Sequence, residues 1–146
     1  MRILIDADGC PVTRLAVEIA ENHGIKAIVF CDTSHIFEFD KTEVVTVSKG
    51  ADSVDFALVN RCEKGDVAVT QDYGLAAMVL SKGGIPITQN GLVINNFNID
   101  TLLQTRHISK KARMNNVHLK GPSKRTAQQD KDFENSLEAL ILKQIF

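Results

Sequence analysis

Ile3-Leu4-Ile5-Asp6-Ala7-Asp8-Gly9-Cys10-Pro11 decides how this chain is read: an unbroken apolar run stops at two carboxylates one residue apart, then a glycine and a proline. A short apolar run bounded by turn residues reads as a strand buried on both faces. In an open α/β sheet, ligands gather beyond the carboxyl ends of the strands. That rule puts Asp6 at a strand end and Asp8 just outside it on the turn. Two carboxylates held there are costly to desolvate, and a divalent cation is the simplest offset. The plainer alternative gives Asp8 to capping the next helix, with Pro11 at its first position.

Working outward, Val12, Leu15, Ala16, Ile19 and Ala20 recur at helical spacing between Pro11 and His23, and Gly24 stops the run. Ala27 to Cys31 is a second short apolar strand. Asp32 to Lys41 is less regular and reads as a loop or short helix folded against the body. Glu43-Val44-Val45-Thr46-Val47 is a β-branched third strand. From Asp52, the residues Val54, Ala57, Leu58 and Cys62 mark a helix, and strand four follows over Asp66 to Thr70. Leu75, Met78, Val79 and Leu80 form the next helical face, closed by Gly83-Gly84. Ile85-Pro86-Ile87-Thr88 is a short last strand, placed at or near an edge by its proline. Strands alternating with helices in this way predict an α/β fold: three layers, a mostly parallel sheet of about five strands, and helices on both faces.

Beyond Asn90-Gly91 the pattern changes. Ile99, Leu102 and Leu103 begin a helix that runs into Arg106, His107, Lys110, Lys111 and Arg113, and the polar loop Lys120 to Arg125 follows. Thr126 is a candidate cap for a last helix with Phe133, Leu137, Leu140 and Ile141 as its apolar stripe. The chain thus reads as one domain over 1–146 with a basic helical extension from about residue 98.

At 146 residues and 44% hydrophobic content the chain suits one compact domain. No run is long and apolar enough to span a bilayer, and no signal region opens the sequence, so the expectation is a cytoplasmic protein with no membrane partner. The three cysteines, Cys10, Cys31 and Cys62, are odd in number and lack metal-type pairing. Residues 1–103 hold 8 Lys/Arg against 14 Asp/Glu, a net −6, whereas 104–146 hold 9 against 4, a net +5. An acidic body with a basic end suggests a metal pocket beside a phosphate-attracting surface, although solvated charge alone produces the same asymmetry.

Several carboxylates fall at equivalent places. Asp6 and Asp8 follow strand one, Asp52 and Asp55 follow strand three, and Asp72 follows strand four, so all of them open on one edge of a parallel sheet. An oxygen-only ligand set of this kind favours Mg²⁺ or Mn²⁺, ions that activate water and orient phosphate oxygens. Each residue also has a plainer reading: Asp52 and Asp72 are well placed as helix N-caps, and Asp66, at the opposite end of the sheet, reads as a turn residue. Thr70 and Thr88 end strands and would either hydrogen-bond a ligand or simply pack. Cys10 reads as a small buried side chain more readily than as a thiolate. His23, His35, His107 and His118 are scattered without zinc spacing. No G-x-G-x-x-G or G-K-[ST] loop is present, which argues against dinucleotide and P-loop binding. Lys124 and Arg125, beside Gly121-Pro122, are candidate phosphate contacts or solvated loop charges.

I-D-A-D-G-C-P at 5–11, G-A-D-S-V-D from Gly50 to Asp55, G-D-V-A-V-T-Q-D from Gly65 to Asp72, and D-x-x-F-x-x-x-L through Asp130, Phe133 and Leu137 together resemble the YaiI/YqxD family of bacterial proteins. The resemblance covers nearly the whole chain. It implies a cytoplasmic protein of the PIN-like group, whose nucleases are metal-dependent and use clustered acidic residues. On that resemblance Asp6, Asp55 and Asp72 hold Mg²⁺ or Mn²⁺, and Asp8 serves as a further ligand or base. Thr70, Lys124 and Arg125 position phosphates. A fourth acidic residue expected near the last strand is missing from Ile87-Thr88-Gln89-Asn90.

The leading expectation is therefore a Mg²⁺/Mn²⁺-dependent nuclease acting on RNA or single-stranded DNA. A phosphatase of the haloacid dehalogenase type is a rival, because Asp6-Ala7-Asp8-Gly9 resembles that family's D-x-D-G opening, with Asp6 as nucleophile. Cys10 stands where that family has threonine. A non-enzymatic nucleic-acid-binding module with a vestigial acidic pocket is the third reading.

Overall fold

The computed structural model describes residues 1–105 and 124–145. The strands are β1 (Ile3–Asp6), β2 (Ala27–Asp32), β3 (Glu43–Val47), β4 (Val67–Val69) and β5 (Ile85–Ile87); the helices are α1 (Thr13–Asn22), α2 (Ser53–Arg61), α3 (Tyr73–Ser81), a helical stretch α4 over residues 99–105, and α5 (Ala127–Ile145). The strands form one sheet in the order β3-β2-β1-β4-β5, every pairing parallel. β1 lies at the centre, and the connections leave it in opposite directions: β2 and β3 to one side, β4 and β5 to the other. That reversal opens a crevice at the carboxyl end of β1.

The α/β architecture expected from the apolar runs is the one observed. Ile3, Ile5, Val29, Val67 and Val69 pack on one face against α1 and against Phe133, Leu137 and Ile141 of α5. Leu4, Ile28, Phe30 and Ala68 pack on the other face against Leu58 and Cys62, and against Leu75 and Val79 of α3. Central strands with alternate residues buried on two faces must read as continuous apolar runs. A satellite cluster joins the outer side of α3 to Ile94 and Ile99. Pro86 sits on the edge strand β5, as its missing N–H requires. α5 begins with a reciprocal capping box: Gln129 N–H donates to Thr126 Oγ1 at 3.3 Å, and Thr126 N–H donates to Gln129 Oε1 at 2.9 Å.

The structure corrects two local expectations. Asp8 does not cap α1, which has no side-chain cap, and Pro11 precedes the helix instead of opening it. Asp32 to Lys41 takes the loop alternative, with Phe37 and Phe39 packed against the core. Asp66, read as a turn residue, is buried at the amino end of β4 and accepts hydrogen bonds from Arg2 N–H (3.0 Å), the Arg2 guanidinium (2.7 Å) and Glu63 N–H (2.9 Å). It clamps the start of β1 to the end of α2, where Arg2 also donates to the Arg61 carbonyl at 2.5 Å. Arg106, His107, Lys110, Lys111, Arg113, His118 and the Lys120–Ser123 part of the polar loop lie outside the described residues.

Candidate functional site

Because all five strands run parallel, their carboxyl ends share one rim, and the residues following β1, β2, β3 and β4 open into one cleft. Its volume is about 730 Å³, and Asp6, Asp8, Asp32, Asp52, Asp55 and Asp72 line it. Asp32, the last residue of β2, stands at a strand end as Asp6 does and reaches the same rim. Asp32 is the acidic residue that sequence reasoning missed.

Thr70 ties the two halves of the cleft together. Its hydroxyl donates to Asp6 Oδ2 at 2.8 Å and accepts the Asp72 N–H at 3.0 Å. Asp6 and Asp72 are therefore held on the same side of the sheet through one buried side chain. Asp72 Oδ1 also accepts from Gly74 N–H (2.8 Å) and Leu75 N–H (3.2 Å), so this residue caps α3 while lining the cleft. Asp52 occupies the N-cap position of α2, but its side chain makes no cap bond. Its backbone is left-handed at φ 64°, the one positive φ of a non-glycine residue among the described residues. Asp55, in the first turn of α2, projects toward Asp72 and Asp6.

The crowding has an electrostatic signature. Burial pushes the Asp6 carboxyl up to about 6; the Thr70 hydrogen bond opposes this, and the neighbouring charges of Asp72 and Asp8 add to it. Burial likewise raises Asp55 to about 6, reinforced by Asp72, Asp6 and Asp52 and by a hydrogen bond with Asp72 that favours the protonated form. Like charges gathered in a partly desolvated site disfavour ionisation. The donor types are those a hard divalent cation takes, all-oxygen and multiply acidic.

Asp8 faces the β2 side. Its Oδ2 accepts the Asp32 N–H at 3.2 Å, and its Oδ1 lies 2.7 Å from His35 Nδ1. No hydrogen bond reaches the buried Oδ1, and the His35 contact is an ion pair only when the imidazole is protonated. Asp32 Oδ1 accepts from Ser34 N–H (2.8 Å) and from the Ser34 hydroxyl in a short hydrogen bond. Those two bonds hold the Asp32 carboxyl below the usual range.

The remaining candidates are placed differently. Arg125 donates through Nε to Asp130 (2.7 Å), through one Nη to Asn90 Oδ1 (2.8 Å) and through the other to the Gln89 carbonyl (2.6 Å). It fastens the start of α5 to the loop after β5, and Lys124 beside it is exposed. Thr88 is buried, and its Oγ1 accepts the Leu92 N–H at 3.2 Å, closing the same loop. Burial pushes the Cys10 thiol up, away from a reactive thiolate.

Comparison with other proteins identifies the relatives of the chain. It belongs to the family described as "Uncharacterized BCR, YaiI/YqxD family", whose model matches residues 4–143. It is 46% identical over 145 residues to a UPF0178 protein of Clostridium acetobutylicum, covering 98% of each chain. It is 48% identical over 141 residues to a UPF0178 protein of Exiguobacterium sibiricum, covering 97% of this chain and 96% of the other. Among solved structures it matches Rae1 (YacP) from Bacillus subtilis, W164L mutant, at 15% identity with a TM-score of 0.43 over 100% of both chains. No described helix is long and apolar enough to cross a membrane.

Proposed function

We propose that this chain is a metal-dependent phosphodiesterase of PIN-like type that cleaves RNA or single-stranded DNA in the acidic cleft. The observation that carries the reading is the Asp6–Thr70–Asp72 link, with Asp55 alongside, in an open cleft at the carboxyl end of a parallel sheet. Asp6, Asp55 and Asp72 would hold Mg²⁺ or Mn²⁺. When bound there, such an ion supplies charge for the phosphate oxygens and activates water.

The residues of the chain do the positioning. Thr70 fixes the Asp6 carboxylate through its hydroxyl and, by accepting the Asp72 N–H, sets the start of α3. The Asp72 cap fixes its own Oδ1 against that helix. A carboxylate whose orientation is held in advance loses little entropy on binding a cation or substrate. Without a cation, the six aspartates that line the cleft would repel a polyanionic strand, so binding of nucleic acid here should require the metal.

The test is cleavage of end-labelled single-stranded RNA and DNA oligonucleotides with Mn²⁺, Mg²⁺ or EDTA. The parent should cleave with metal and not with EDTA, and the Asp6→Asn variant should lose at least a hundredfold in rate. Equal cleavage by parent and variant would show that the activity belongs to something other than this cleft.

A further inference from the structure

We propose that Asp8, Asp32 and His35 form a separate cation position on the β2 side of the cleft, one that takes a first-row transition ion such as Zn²⁺ or Mn²⁺. Each residue offers one donor atom, and these atoms all lie within 4.8 Å of one another. His35 Nδ1 is 2.7 Å from Asp8 Oδ1 and 3.7 Å from Asp32 Oδ1. Ligand atoms about 2.0–2.2 Å from a common ion stand roughly 3–4 Å apart, so the 3.7 Å pair already fits and the 2.7 Å pair would open by about half an ångström. The donors come from two adjacent strand ends that β-pairing fixes, with Asp6 opposite Phe30 in the register.

A further observation favours a ligand here. Asp8 Oδ1 is buried and accepts no hydrogen bond, and its close polar neighbour is His35 Nδ1 of the same group, a counter-charge only when the imidazole is protonated. Its partner oxygen is pinned by the Asp32 N–H, so the carboxylate cannot simply rotate Oδ1 into solvent without breaking that bond. The other two donors are oriented as well. Ser34 holds Asp32 Oδ1 through its N–H and its hydroxyl, and the His35 ring stacks on Phe37 with centroids 6.2 Å apart. Such outer contacts fix metal ligands in place.

The donor set also decides the ion. One imidazole with two carboxylates suits Zn²⁺ or Mn²⁺, whereas Mg²⁺ prefers oxygen and water alone. Three protein ligands leave coordination positions open. The position is distinct from the all-oxygen group of Asp6, Asp55 and Asp72, and its existence does not depend on hydrolysis.

The test is Zn²⁺ binding at neutral pH to the full chain, read by competition with a chromogenic chelator and by the ¹³C–¹H ring resonances of histidine. The parent should show one histidine ring shifting on addition of Zn²⁺, identified as His35 by its absence from the His35→Gln spectrum. His35→Gln and Asp32→Asn should each weaken binding at least tenfold, while Asp6→Asn leaves the ring shift intact. His35 is exposed and Asp32 is half-buried at the end of β2, so both variants should keep the parent melting temperature to within a few degrees. The proposal is overturned if no ring shifts in the parent, if a different histidine shifts, or if His35→Gln binds Zn²⁺ as tightly as the parent. Loss of binding in Asp6→Asn alone would also overturn it, and would instead support an ion among Asp6, Asp55 and Asp72.

Discussion

Replacing Asp6 by asparagine should stabilise the metal-free protein while removing its activity. The carboxyl ordinarily ionises at 3.8 and is pushed up to about 6 in the cleft. At 1.36 kcal/mol per pKa unit, keeping it ionised in the fold at neutral pH is unfavourable by about 3 kcal/mol. Part of that belongs to repulsion from Asp72 and Asp8, which would shift to relieve it, so about 1–3 kcal/mol should be recovered. Asparagine is nearly isosteric, and its Oδ1 can still accept the Thr70 hydroxyl. The sign follows from linkage: the folded-state pKa lies above the unfolded value, so the native state binds the extra proton between about pH 4 and 6. Stability from this group is greatest below pH 4 and declines as pH rises through 6. Urea denaturation in EDTA, followed by circular dichroism from pH 4 to 8, reads the effect directly. At pH 7.5 the Asp6→Asn variant should be about 1–3 kcal/mol more stable than the parent, and its decline between pH 4 and 7 should be shallower, the remainder coming from Asp55. Mn²⁺ at a hundredfold excess over its dissociation constant should return about 2.7 kcal/mol to the parent and much less to the variant. A variant equally or less stable than the parent at pH 7.5 in EDTA would refute the idea that the cleft stores unfavourable charge.

Other substitutions probe other parts of the fold. Asp72→Ala should lose the α3 cap, about 1 kcal/mol, whereas Asp72→Asn should keep the cap and lose cleavage; thermal melts and the oligonucleotide assay together separate the two roles. Arg2→Ala strands the buried Asp66 carboxylate and should be destabilising by about 3 kcal/mol at neutral pH. Asp66 is held below its ordinary 3.8 by the Arg2 and Glu63 hydrogen bonds against an opposing burial effect, so denaturation below pH 4 should show this difference shrinking as the carboxyl protonates in both proteins. Gly91→Ala would place a Cβ 2.7 Å from the Asp132 carbonyl oxygen at φ +88°, and urea melts should show a loss of about 2 kcal/mol or more.

The sheet was legible because burial on two faces turns Leu4, Ile28 and Ala68 into members of unbroken apolar runs, and because each run ends in a turn residue. The acidic rim was legible for the same reason: a carboxylate just after a parallel strand has only one edge to occupy. The same rule holds after β2, where Asp32 ends the run Ala27-Ile28-Val29-Phe30-Cys31 and so lies on that edge. His35 carried no usable local signal. Its nearness to Asp8, 27 positions away, arises only when β2 pairs with β1. Asp66 failed differently, because its partner Arg2 lies 64 residues away and no short-range pattern joins them. The left-handed backbone of Asp52 was likewise hidden, since aspartate at a helix start normally signals an ordinary cap.

The helix that closes the α1 face is the last of the described helices in chain order. Phe133, Leu137 and Ile141 are fully buried against residues from the first thirty positions. A nascent chain that has not yet released Ala127 to Ile145 therefore carries an uncovered oily wall formed by β1, β2 and α1. Such a chain cannot finish its core, and stalling or a nonsense codon before Ala127 should yield a sticky product that quality control removes, even though every cleft carboxylate is already in place.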